Sequence, residues 1–123
     1  MIVLDKRGNK MIQQKLEQLG IQVQGGIENL GEETYFQELN TFIKGMDFMK
    51  IGQAASRKQW SSAMMTLRRM TQKGNELGMK NMEMLFLRLR KEIGEKNIVA
   101  VKNTLALLTQ KRVQIIKILQ EEE

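Results

Sequence analysis

Met65, Arg68, Arg69 and Gln72 are the residues of this sequence best placed to do chemistry. They lie within WSSAMMTLRRMTQKGNELGM, the stretch Trp60–Met79. In the same stretch Trp60, Ala63, Met64, Leu67, Met70, Gly74 and Leu77 recur at three- and four-residue steps. That recurrence predicts one helix with an apolar stripe, and it turns Met65, Arg68, Arg69 and Gln72 outward. The outward set suits binding. A guanidinium is always charged and forks its hydrogen bonds onto carboxylate or phosphate. A thioether adapts to irregular apolar surfaces.

Bond-making chemistry is poorly provided for. The sequence has no His and no Cys. That removes the usual proton shuttle near neutral pH, the thiolate nucleophile and the common zinc ligands. Glu32-Glu33 is adjacent in sequence and so not facing, and Glu92 with Glu95 sits at an expected turn. The inward Glu-x-x-His pattern of di-metal bundles is missing, as is a Gly-x-x-x-x-Gly-Lys-Ser/Thr phosphate loop. Gly74 and Gly78 read as close helix packing or a helix stop. No enzymatic activity, no cofactor and no metal is expected.

The elements that must position the outward set are helices. The chain has 123 residues, a net charge of +6, ten Met and no Pro. One domain is the expectation at this length, and the composition favours helix over strand. Asn9 is the predicted cap of a short helix from Lys10 to Leu19, after a loose lead-in with Lys6-Arg7-Gly8 as a breaker. Met11, Ile12, Lys15, Leu16 and Leu19 form its inner side. Ile27 and Leu30 predict one turn packed on the bundle end. Glu32 and Glu33 suit a first turn and open a long helix to about Ala55, weakened at Gly45-Met46-Asp47. Its buried face is Tyr35, Leu39, Phe42, Met46 and Met49. Ser56 is the candidate N-cap of the Trp60 helix, and Leu77-Gly78 its stop. Met79, Met82, Leu85, Phe86, Leu89 and Ile93 mark the next helix. Asn97 caps the last, which carries Ile98, Val101, Leu105, Leu108, Ile115, Ile116 and Leu119. Arg112 falls on that apolar side and is expected to snorkel at the bundle end. The acidic tail Glu121–Glu123 opposes the helix dipole and is expected to fray.

Short turns imply antiparallel neighbours. The expected fold is therefore all-α, an antiparallel up-and-down four-helix bundle with a short additional N-terminal helix. Residues 1–24 form the lead-in and short helix, and 25–123 the bundle. The apolar run Ile2–Leu4 is too short for a leader or a membrane span, which points to a cytoplasmic protein. Basic residues gather between Arg57 and Lys80, against Glu76 alone, whereas Glu32–Asp47 is acidic.

Two segments resemble the histidine-containing phosphotransfer domain of bacterial phosphorelays. Gly26-Ile27-Glu28-Asn29-Leu30-Gly31-Glu32-Glu33-Thr34-Tyr35, with Leu39 and Phe42, is similar to the family's approach to its first bundle helix. Trp60, Ala63, Leu67 and Leu77-Gly78-Met79 are similar to its second, with Leu85 and Leu89 continuing the register. The likeness covers roughly residues 25–120. In the family the second helix carries His-x-x-Lys-Gly on its exposed side. Aligned without gaps, those positions fall on Arg68, Thr71 and Gln72. Arg cannot serve as the phosphoryl acceptor, so the resemblance implies the fold and a docking surface without phosphotransfer.

The partner implied is a receiver domain or a sensor kinase. Met65, Arg68, Arg69 and Gln72 are the expected partner-binding residues, with Met84 and Leu87 outward on the next helix as a greasy rim. Those apolar residues equally suit a homodimer seam. The alternative function is a basic helical protein binding nucleic acid or another polyanion. Against it, the only Trp and Tyr are expected on core faces, where they cannot stack on bases.

Overall fold

The structure, a computed structural model, describes the backbone of residues 6–121 and the side chains of 10–120. It is all-α. The described residues form seven helices: α1 (Lys6–Gln18), α2 (Val23–Leu30), α3 (Glu32–Gly45), α4 (Phe48–Ser56), α5 (Trp60–Glu76), α6 (Lys80–Gly94) and α7 (Ile98–Glu121). The lead-in at 1–5 and the end of the acidic tail lie outside the described residues.

Four helices close a ring of contacts. Helix α4 packs on α5 and α7, α5 on α6, and α6 on α7. Helix α3 also packs on α7, α2 on α3, and α1 on both α2 and α7. One apolar cluster runs from Ile12 and Leu16 on α1 to Ile115 and Leu119 on α7. The stripe read on α5 is the buried one: Ala63, Leu67, Met70, Gly74 and Leu77 face inward, with Trp60 and Met64 half-buried against the core.

Three boundaries differ from the sequence expectation. Helix α1 begins at Lys6, so Gly8 does not break it and Asn9 does not cap it. A lone Gly inside a helix is a cost of about 1 kcal/mol and not a stop. Ser56 ends α4 and does not cap α5. The chain turns through Lys58, in the left-handed region at φ 59°, and α5 starts at Trp60.

The long helix from Glu32 is in fact two. Met46 is extended, and the Asp47 side chain accepts the Lys50 backbone N–H at 2.9 Å, restarting the helix as α4. An aspartate offering this cap competes with continuation. The break resets the helical phase. Met49, expected inside, is 73% exposed, and Phe48 and Ile51 are buried instead. Arg112 is half-buried, and its head is held by backbone: it donates to the Ile43 carbonyl at 2.8 Å and the Lys44 carbonyl at 3.2 Å.

One expected stop and one expected cap hold. Gly78, at φ 73°, ends the α5 turn, and the Asn97 side chain accepts the Ala100 N–H at 3.1 Å to cap α7. The Gly78 conformation is one that L side chains rarely adopt. A Cβ there would also strike the Gln22 carbonyl oxygen, whose residue donates its own N–H to the Gly78 carbonyl at 2.8 Å.

Candidate functional site

Helix α5 displays the candidate residues along its outer surface, because its inner side is committed to the core. Met65, Arg68, Arg69 and Gln72 are all exposed. The hydroxyls between them are occupied by their own helix. Thr66 donates to the Ser62 carbonyl at 3.0 Å and Thr71 to the Leu67 carbonyl at 2.9 Å. Neither is poised as a nucleophile, which would need an activating base.

The structure divides the expected set between two sides of α5. Arg68 and Gln72 line a groove of about 340 Å³ between α5 and α6. Its floor is apolar: Leu67 and Phe86 are buried and Met64 is half-buried. The opposite wall is α6, with Glu83, Leu87 and Arg90. Leu87 is 53% exposed, which leaves an apolar edge open to a partner.

Arg69 points the other way. Its guanidinium lies 3.6 Å from the Met65 sulfur, and it lines a second groove with Met46, Asp47, Lys50 and Lys73. Met65 and Met84 are exposed but line neither groove, so the greasy rim around Arg68 is Leu87 and the floor. On this second side the charge asymmetry between α3 and α5 becomes a contact. Lys73 bonds Glu38 at 2.9 Å and Glu76 at 3.2 Å. The Glu38 hydrogen bond holds the Lys73 ammonium above its ordinary pKa.

The charges in the α5–α6 groove are not balanced in the same way. Glu83 is bridged by Lys80 at 3.1 Å. Among the described residues Arg68 and Arg90 have neither an ion pair nor a hydrogen bond. Arg88, by contrast, binds Glu92 at 3.3 Å, and Glu92 also accepts a short hydrogen bond from the buried Thr104. Sequence reasoning missed Arg90. Its signal was the four- and three-residue spacing of Glu83, Leu87 and Arg90, which puts them on one face of α6.

No group of three or more Asp or Glu among the described residues could hold a metal ion, and no helix among them is long and apolar enough to cross a membrane. Compared with known proteins, the chain matches no protein-family model, no curated protein and no solved structure.

Proposed function

We propose that this chain is a non-catalytic docking module of two-component or phosphorelay signalling, similar to a phosphotransfer domain that lacks its histidine. It binds a receiver domain or a sensor kinase in the cytoplasm without passing phosphate. Its frame is a four-helix up-and-down bundle in which α3 and α4 together form the first arm and α5, α6 and α7 the others. The ring of contacts through α4, α5, α6 and α7 and the short turns between them support that frame.

One observation carries the functional reading. Arg68 and Gln72, the positions aligned with the family's acceptor histidine and the glycine after it, are both exposed and line one apolar-floored groove. A receiver's phosphorylation pocket is acidic, and a guanidinium projecting from a greasy surface complements it.

The test is capture from lysate with the wild-type chain beside Arg68→Glu, followed by titration of the captured partner. Receiver or kinase proteins retained by the wild type and lost with the variant support the reading. Arg68→Ala is then expected to weaken the complex by about 1–3 kcal/mol. Affinity unchanged by Arg68→Ala removes the role given to Arg68. A log-linear collapse of binding with salt instead identifies a polyanion ligand.

A further inference from the structure

We propose that Arg68 and Arg90 form a two-guanidinium clamp that reads a phosphoryl group, so that the α5–α6 groove selects the phosphorylated form of what docks there. The docking reading supplies the source of that group, a phosphorylated side chain on the partner, and to that extent the clamp rests on it. The clamp itself rests on the groove.

The arginines come from different helices and line the same groove, one from each wall. Both are exposed and have no partner among the described residues. The carboxylate in the lining, Glu83, is engaged by Lys80. The groove therefore holds two unspent guanidiniums above the buried Leu67 and Phe86. Arg112 and Arg88, by contrast, are used within the fold, on α3 carbonyls and on Glu92, and Arg57, also unpaired among the described residues, lies outside the groove.

Charge and donor count choose the ligand. One guanidinium fork satisfies the two oxygens of a carboxylate. A second guanidinium finds its match in a group with three terminal oxygens and a charge of about −1.5 to −2, which is a phosphoryl monoester or acyl phosphate. The apolar floor favours a phosphoryl group carried on an apolar neighbour over a free ion. Gln72 and Asn75, from the α5 wall, add amide donors at the rim.

Small probes test this without a partner protein. The ¹⁵N-labelled full chain is titrated with phenyl phosphate, phenylacetate and benzyl alcohol, following the Arg Nε–H and backbone signals. Phenyl phosphate is expected to saturate shifts confined to the groove, including both arginine Nε–H groups, and to bind about tenfold more tightly than phenylacetate. The preference is expected to shrink below about pH 6, where the monoester loses its second charge. Arg68→Gln and Arg90→Gln should each abolish it, while Arg57→Gln should not. Equal binding of phosphate and carboxylate, shifts spread over all basic residues, or a preference surviving Arg90→Gln overturns the clamp. Capture of a partner through Arg68 with no phenyl phosphate preference removes the clamp and keeps the docking reading. A phosphate preference with no partner captured removes the docking reading and keeps the clamp.

Discussion

Tyr35 joins three segments through one side chain. Its hydroxyl donates to the Leu77 carbonyl at 2.8 Å, at the end of α5. Its ring lies flush on Gly26, where a Cβ would collide with it, and meets Phe36 edge-on with centroids 5.4 Å apart. Burial, and secondarily the charge of Glu17, raises its ionisation well above the ordinary value of 10.0. The folded state thus prefers the neutral phenol. The stability this gives is fully present below the unfolded pKa and is lost as pH climbs past about 10. Lys73, also raised, acts in the same direction. Tyr35→Phe is expected to lose about 1–2 kcal/mol at neutral pH by urea denaturation. It should also flatten the decline in stability above about pH 10. An unchanged alkaline slope in the variant would assign that decline elsewhere.

At the scale of elements, the junction between α3 and α4 is held from outside. Asp47 caps α4 from the adjoining position, but the last carbonyls of α3 receive Arg112, which projects from α7. A cation at a helix C-terminus gains from the dipole as well as from the hydrogen bonds. Arg112→Met keeps the apolar stem and deletes the donors. It is expected to destabilise the chain by about 1–3 kcal/mol in chemical denaturation, with faster amide exchange at the end of α3. Arg112→Lys should recover part of the loss. Loss of stability equal to that of a solvent-facing arginine would show that the carbonyl contacts contribute little. The sequence flagged Gly45-Met46-Asp47 as weak. The local Asp47 cap accounts for the restart, but the partner of the α3 carbonyls, Arg112, is distant in sequence, and local propensity holds no information about it.

At the scale of the molecule, the N-terminal hairpin is part of the core. Ile12, Leu16 and Val23 are fully buried and Ile21 nearly so. The Gln22 amide to the Gly78 carbonyl pins the α1–α2 linker onto the α5–α6 turn. That turn sits at one end of the two helices that wall the groove. Each buried aliphatic side chain contributes about 1.5–3 kcal/mol. Deleting residues 1–22 is therefore expected to lower the melting temperature by at least about 10 °C by circular dichroism. A truncated chain melting like the full one would mean that the hairpin packs without stabilising the rest.

The sequence by itself determined the all-α class, the buried stripes of α5, α6 and α7, the Gly78 stop and the Asn97 cap. These depend on period and on residue chemistry within a few positions, which a single strand of text carries in full. It also turned Met65, Arg68, Arg69 and Gln72 outward, since helical phase alone fixes that. Only the tertiary structure decided which of them share a surface. Arg68 and Gln72 face α6, Arg69 faces the side of α3 and α4, and Met65 touches Arg69 but lines neither groove. That division depends on which helices flank α5, a matter of packing between segments distant in sequence. The same holds for Arg90, whose place opposite Arg68 exists only once α6 has folded back along α5.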